Sequence, residues 1–391
     1  MSDYVDVAVI GGGIQGCGVA QAAAAAGYRT VLLEKTALAH GTSSKSSKLI
    51  HGGLRYLESA QFSLVRQSLY ERELLIRNAP DLVNYTKFYL PVYKSSSRHR
   101  LTILSGLSLY ALLGNLQPQA CFRRVPPPQW SNLDGLERRG LQAVYQYWDG
   151  QTDDVALTRA VMASAQQLGA HLLCPASVEQ VHYQSGEYHI AYQHGSQSGL
   201  LRASTVINAA GAWVDAVHAR IKPNTDFPAI ELVQGTHLIL QQTAPSGIYY
   251  LESPTDRRAV FVMPWYGQTL IGTTETAYHG DPEQVRATEH EIDYLRNIAR
   301  HYFPQLNDTV VKQFSGLRVL PAGKQSMFHR PRETVMFTAP TLPGYIALIG
   351  GKLTGYRATA EKVVTLLQRA LPAKSPLADT KTLRIEPVSG D

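Results

Sequence analysis

The chain is predicted to be α/β, with a doubly wound parallel sheet joined to an α+β second domain built on an antiparallel sheet. Two observations point there. A short apolar run at residues 5–10 ends in three glycines, an alanine-rich stretch covers 14–26, and a second apolar run follows at 30–34. That order reads as strand, turn, helix, strand, the opening of a parallel sheet. Between residues 230 and 272 the strand-like segments HLIL, AVFVMPW and TLIGT alternate with turn residues, as an antiparallel sheet requires. At 391 residues, 44% hydrophobic and 17% charged, the chain can bury a sizeable core and suits two domains interleaved in sequence.

The elements follow in order. Gly27 stops the first helix. Residues 61–77 carry Phe62, Val65, Leu69 and Ile76 near helical spacing and end before Pro80. Residues 89–130 read as an irregular excursion, with serines at 95–97 and prolines at 126–128. A helix is predicted over 153–168, capped by the adjacent acids Asp153 and Asp154 and stopped by Gly169. Residues 171–208 suit three or four strands feeding a turn at 209–211. A helix over 289–302, a strand over 345–349 and a helix from about 354 to 371 complete the order, and the polar last fifteen or so residues read as a loose tail. The first domain is expected at 1–85, 150–225 and 315–391, and the second at 86–149 and 226–314.

Composition narrows the classes of partner. The 37 basic and 31 acidic residues leave a net charge of +6, which favours anionic ligands or an acidic lipid surface. No Lys/Arg run with interleaved aromatics indicates nucleic acid. Cys17, Cys121 and Cys174 form neither a CxxC pair nor a metal spacing, which fits a reducing, cytoplasmic interior. The chain enters a strand at once, so secretion is not expected. Residues 101–113 (LTILSGLSLYALL) fall short of the roughly 20 a spanning helix needs. They suit either a buried helix or, with Lys94, Arg98, His99 and Arg100 ahead of them, an interfacial one.

Gly11, Gly13 and Gly16 form a GxGxxG that follows a strand and opens a helix. Glu34 closes the next strand, where a carboxylate accepts ribose hydroxyls and repels a 2′-phosphate. The glycines admit a pyrophosphate to the helix N-terminus, beside Ile14 and Gln15. This pattern does not separate one dinucleotide from another. The block 41–58, GTSSKSSKLIHGGLRYLE, reads as a flexible linker or as the lining of a long cofactor. In the second reading Thr42, Ser43, Ser44, Ser47, Lys48, Leu49 and His51 follow the cofactor, and Gly52 and Gly53 let the backbone pass a flat ring. Lys35, Val178 and the turn Ala210, Gly211, Trp213 are further expected contacts. Gly351, Lys352, Leu353 and Thr354 form a second strand-to-helix turn, whose positive end suits a ring that becomes negative on reduction.

The segments GGGIQGCGVA, EKTALAHGTSSKSSKLIHGGLRYLE, FVMPWYGQTLIGTTE, FSGLRVL and IGGKLTGYR, in this order, resemble the FAD-dependent glycerol-3-phosphate dehydrogenases. The resemblance runs from about residue 4 to residue 370. It implies a Rossmann-like FAD-binding domain of the glutathione-reductase and D-amino-acid-oxidase type, covered by an antiparallel-sheet substrate domain. It also implies oxidation of sn-glycerol 3-phosphate, a phosphorylated polyol, to dihydroxyacetone phosphate. Electrons would pass to a quinone, or to oxygen, with peripheral contact at the inner face of the cell membrane. Members usually continue into a helical C-terminal domain, whereas this chain stops soon after GGKLTGYR.

Such a reaction needs a dianion anchor, a base and stabilisation of the reduced ring. Arg55, Arg318 and Lys352 lie in glycine-rich segments and are expected to anchor the phosphate. His237 is the expected base with His51 as its rival, and Tyr56 and Thr274 are expected to bond substrate oxygens. Two other readings stay open: a flavin oxidase or dehydrogenase of another small hydroxy acid or an amine, and a non-catalytic FAD-binding redox sensor.

Overall fold

The computed structural model describes residues 4–323 and 333–388. The chain enters β1 (Tyr4–Ile10), turns into α1 (Ile14–Ala25) and returns in β2 (Thr30–Leu33). Helix α1 is mostly alanine and glycine and nearly all buried, because small residues let it lie close to the sheet and to later helices. Next come β3 (Leu49–Ile50), α2 (Phe62–Asn78), β4 (Val83–Tyr93), α3 (Arg100–Leu113), β5 (Arg123–Arg124) and β6 (Leu141–Thr152). Asp153 then caps α4 (Asp154–Gln167), accepting the N–H groups of Val155 and Ala156.

Four strands follow: β7 (His171–Leu173), β8 (Ser177–Gln184), β9 (Glu187–His194) and β10 (Gln197–Asn208). They lead to α5 (Val214–His218) and β11 (Ile221–Lys222). The run β12 (Ile230–Thr243), β13 (Ile248–Glu252), β14 (Ala259–Trp265), β15 (Gln268–Gly272) and β16 (Thr276–Tyr278) comes next. A capping box of Thr288 and Glu291 starts α6 (Glu289–Tyr302). The described chain continues through β17 (Val310–Pro321), β18 (Val335–Ala339), β19 (Leu342–Ile349) and α7 (Tyr356–Leu367).

Two sheets result. In the first, β10, β1, β2 and β7 run parallel in that order and β19 joins β10 in the same sense. β8 and β9 extend β10 as an antiparallel meander. Helices α1, α4 and α7 cover one face, and Gly18 of α1 leaves room for the Tyr356 ring of α7. The second sheet runs β16-β12-β15-β14-β13-β4-β6-β3, with β17 on β12 and β5 on β6. Its pairings are antiparallel except β13 with β4. Helix α6 packs on one face, while α2 and α3 pack on the other.

Several expectations are corrected. β4 starts at Val83 and β17 runs to Pro321 within the second sheet, so strand pairing crosses the limits expected at 85 and 315. The stretch read as irregular from 89 holds the end of β4 and all of α3. α3 is not a buried helix: Leu107, Tyr110 and Ala111 are buried, whereas Leu101, Leu104 and Leu112 are exposed. The end of the chain is no loose tail, because the Leu377 N–H bonds the Ala25 carbonyl and the Ile385 N–H bonds the Asn78 carbonyl. Ile385 is buried among the first domain's apolar residues, which explains why a polar stretch holds its place.

Candidate functional site

The carboxyl ends of β1, β2, β10 and β19 open on a cleft of ≈ 370 Å³, whose far wall is built by β12 and β17. Ligands of open α/β sheets lie at such ends, where strand order reverses. Gly11 has φ +110, and a Cβ there would stand 2.6 Å from the Ala209 carbonyl oxygen. A Cβ on Gly16 would stand 1.9 Å from the Gly11 carbonyl oxygen. The first turn of α1 therefore packs against backbone in a way that only glycine permits. Gly13 caps α1 without a side-chain bond and no acid occupies the first turn, so the positive helix end is kept for an anion. The Ile14 N–H donates to Ser43 Oγ at 2.9 Å.

Glu34 is fixed by backbone. Its Oε2 accepts the Gly12 N–H at 2.6 Å and its Oε1 accepts the Thr36 N–H at 2.8 Å. Val178, Ala210, Gly211 and Trp213 line the same end, where the Lys35 ammonium lies 4.2 Å from the centre of the Trp213 ring. Toward the middle, Gly351 has φ +129 and a Cβ there would meet Gln15 Nε2 at 2.8 Å. Gln15 donates to the Lys352 carbonyl at 3.2 Å, while its own Oε1 is buried and has no hydrogen-bond partner among the described residues. An unpaired buried acceptor costs on the order of 1–3 kcal/mol, so this wall is shaped to receive a ligand donor.

The serine block is not a linker. Thr42 donates to the Leu317 carbonyl at 2.6 Å, and Ser46 Oγ donates to Asp154 Oδ2 at 2.6 Å. The His51 N–H donates to Thr354 Oγ1 at 3.1 Å, joining the block to the turn before α7. Ser47 Oγ lies 2.9 Å from His237 Nε2, and the His237 ring stacks on Phe314 with centroids 5.0 Å apart. His237 is 2% exposed. Burial first, then the charges of Lys48 and Arg318, push its pKa down to about 3. It is therefore neutral at physiological pH.

Cations gather at this end. Lys45, Arg318 and Lys352 line the cleft. Arg318 Nη1 bonds Glu275 Oε1 at 3.1 Å, and the Lys352 ammonium lies 3.9 Å from the centre of the Tyr56 ring. Burial, together with the neighbouring charges of Lys312 and Lys48, holds the Lys45 ammonium below its usual range.

Six expected residues stand away from the cleft wall. Arg55 lines a second cavity of ≈ 290 Å³ beside α3, together with Arg98. Thr274 is buried, donates to Glu291 Oε1 at 2.7 Å and accepts the Thr236 N–H at 2.9 Å, so it braces α6 against β12. Lys48 turns inward to a buried ion pair with Asp154 at 2.6 Å. Gly16 and Ser44 do not line the cleft either. Gly53 has φ +76 and a Cβ there would strike the Tyr56 ring, while one on Gly52 would strike Tyr110 and Leu69. Both glycines make room for side chains, not for a flat ligand. Lys45, Gly235 and Thr273 line the cleft unforeseen. Gly235 alone carried a signal, since a glycine inside the strand QGTH marks a close approach, here to Thr273 Oγ1.

Known proteins give this geometry a family. The model of the FAD dependent oxidoreductase family matches residues 6–357. A glycerol-3-phosphate dehydrogenase of Synechocystis sp. is 36% identical over 96% of this chain and 72% of its own length. A D-erythritol 1-phosphate dehydrogenase of Brucella abortus is 35% identical over 94% of this chain and 74% of its own. The structure of the glycerol-3-phosphate dehydrogenase from Bacillus halodurans complexed with FAD superposes with a TM-score of 0.77 at 28% identity, covering 98% of this chain and 68% of that one. The chain belongs to the FAD-dependent oxidoreductase family, in which it stands with the glycerol-3-phosphate dehydrogenases.

Proposed function

We propose that the chain binds FAD and oxidises sn-glycerol 3-phosphate to dihydroxyacetone phosphate. The observation that carries the substrate reading is the set of cations Lys45, Arg318 and Lys352 on the cleft wall beside His51 and His237. A phosphate dianion calls for two or more cations, where a carboxylate needs a single good arginine. The cofactor fits the donor set. The bare N-terminus of α1, Ser43 and the fixed carboxylate of Glu34 suit its adenosine and pyrophosphate, and Gln15 with the turn at Gly351–Thr354 suits its far end. Bound there, FAD supplies the acceptor for a hydride.

The residues of the chain then have separable duties. Arg318, oriented by Glu275, and Lys45 hold the phosphate. His237 is a weak base, with a pKa near 3 and its Nε2 engaged by Ser47. His51 stands on the wall, less buried, with its backbone tied to Thr354. The geometry favours His51 to take the hydroxyl proton and His237 to hold Ser47 in place. This reverses the order expected from sequence.

A second phosphorylated polyol is also favoured, because the erythritol 1-phosphate relative is as similar as the glycerol 3-phosphate one. Anaerobic bleaching of the bound flavin by glycerol 3-phosphate, erythritol 1-phosphate, lactate and amino acids separates the readings. Bleaching by a phosphorylated polyol is expected, with Arg318→Ala raising its KM by about 10- to 100-fold, the loss of one charged hydrogen-bonded contact. Bleaching by lactate or an amino acid alone would overturn the substrate reading.

A quinone at an acidic lipid surface on the cytoplasmic side is the acceptor we propose. No aspartate or glutamate occurs from Leu82 to Leu133, while Lys87, Lys94, Arg98, Arg100, Arg123 and Arg124 fall within it. The same segment exposes Leu101, Leu104 and Leu112 of α3. Among the described residues no helix is long and apolar enough to cross a membrane.

A further inference from the structure

We propose that Tyr110 and Asp149, backed by Arg72, are positioning residues that clamp the His51–Gly52 backbone and so aim His51 at the substrate. The inference rests on the reading of His51 as proton acceptor. The Gly52 N–H is shared between Tyr110 Oη at 2.9 Å and Asp149 Oδ1 at 3.2 Å. Tyr110 in turn donates to Asp149 Oδ2 at 2.7 Å. Arg72 Nη1 donates to Asp149 Oδ1 at 2.7 Å and to the Trp148 carbonyl at 3.1 Å. On the other side, the His51 N–H is held by Thr354 Oγ1. Two successive amides are thus fixed by three elements far apart in sequence: α3, β6 and the turn before α7.

The fit leaves no slack. A Cβ on Gly52 would stand 2.4 Å from Tyr110 Oη and 2.5 Å from Leu69 Cδ2. Arg72, Tyr110 and Asp149 are each 1% exposed. Glu71, next to Arg72 on α2, makes a buried ion pair with Arg357 of α7 at 2.6 Å, so α2 ties both halves of the clamp. Burying charges in this way is a poor means of stabilising a fold, since well-packed apolar residues often serve as well. What it supplies is a single allowed place for the backbone it holds. Tyr110 and Asp149 bond the amide of Gly52, the residue after His51, so they act on His51 through the backbone.

Tyr110→Phe tests this, because it keeps the ring that packs edge-on to Tyr147 and removes only the hydroxyl. The rate of anaerobic flavin reduction by glycerol 3-phosphate is measured in the wild type, Tyr110→Phe, His51→Asn and the double variant. Tyr110→Phe is expected to slow reduction by about 10- to 100-fold, the cost of a small misplacement of a reacting group, with KM and flavin content held. In the His51→Asn background the same change is expected to cost less than about twofold, as residues acting as one unit are not additive. The Gly52 amide is expected to exchange with solvent faster in Tyr110→Phe. A wild-type rate in Tyr110→Phe, or an equal loss in both backgrounds, overturns the clamp. If His51→Asn reduces flavin at the wild-type rate, it is the His51 reading that falls, and the clamp falls with it. Asp149→Asn gives the second arm should Tyr110→Phe not fold, with the same expected pattern.

Discussion

His237 makes stability depend on pH in a way that its surroundings set in sign and size. Its folded pKa is about 3 against an ordinary 6.5. Between those values the unfolded chain binds a proton that the folded chain refuses. Stability is therefore full above pH 6.5 and falls as the pH drops toward 3, with a limiting slope of about 1.4 kcal/mol per pH unit. From pH 7 to pH 5 this one group accounts for about 2 kcal/mol, obtained by integrating the two titrations. The figure needs no discount for solvent screening, since the ring is 2% exposed. His237→Asn keeps a polar contact to Ser47 and removes the titration. Urea unfolding followed by tryptophan fluorescence at pH 7 and pH 5, for wild type and variant, isolates the term as a difference of differences. A value near 2 kcal/mol, lost by the wild type only, is expected. A value below about 0.5 kcal/mol would show that water or a counter-charge reaches the ring, and a gain at pH 5 would refute the reasoning outright.

Three further outcomes follow from the packing of the chain. Lys48→Met leaves Asp154 buried without its partner and should cost about 3–5 kcal/mol in urea unfolding; a loss under about 1 kcal/mol would mean the pair is not the closed one seen here. Gly16→Ala puts a methyl 1.9 Å from the Gly11 carbonyl and should yield protein without bound FAD, whereas Gly106→Ala, which meets nothing within 4 Å among the described residues, should keep its yellow colour. Leu101→Glu combined with Leu112→Glu should abolish sedimentation with anionic vesicles; absence of wild-type sedimentation with those vesicles at low salt would remove the lipid proposal.

Where the sequence spoke locally, the fold could be read. The strand–glycine–helix start and the adjacent acids at 153 and 154 each act within one turn of chain, and α1 and α4 lie where those signals place them. What decided the site acted over long distances. Lys48 sits in the serine block with a left-handed φ of 60°, and its partner Asp154 is more than a hundred residues away, so nothing near it in sequence shows that it points inward. Arg55 and Tyr56 are neighbours on one short 3-10 turn, which sends adjacent side chains to different sides. Tyr56 reaches the cleft and Arg55 the second cavity. Thr273 and Thr274 part in the same way, and the acid that captures Thr274 lies on α6. Ile385 shows the converse: one apolar residue in a polar tail found the core, and periodicity cannot register a single residue.

The charges around the cleft also say what kind of ligand they await. Lys48 and Arg318 help to strip the proton from His237, while Lys312 and Lys48 help to lower Lys45. Each shift begins with burial and is deepened by neighbouring positive charge, although Asp154 and Glu275 pair with two of these cations. A ligand that reverses these shifts must be an anion, and the more charge it carries the more it reverses. By linkage, a group whose pKa falls on binding gives up protons as the ligand enters. A phosphate held among cations is held as the dianion, so its second pKa, about 6, falls and binding near that pH should release protons to solution. Calorimetry of glycerol 3-phosphate binding at pH 6 in buffers of different ionisation enthalpy reads that release directly. Release at pH 6 that vanishes at pH 8 and shrinks in Lys45→Met places the phosphate among these cations. Zero release at pH 6 would mean that the dianion binds elsewhere and that the crowding has another cause.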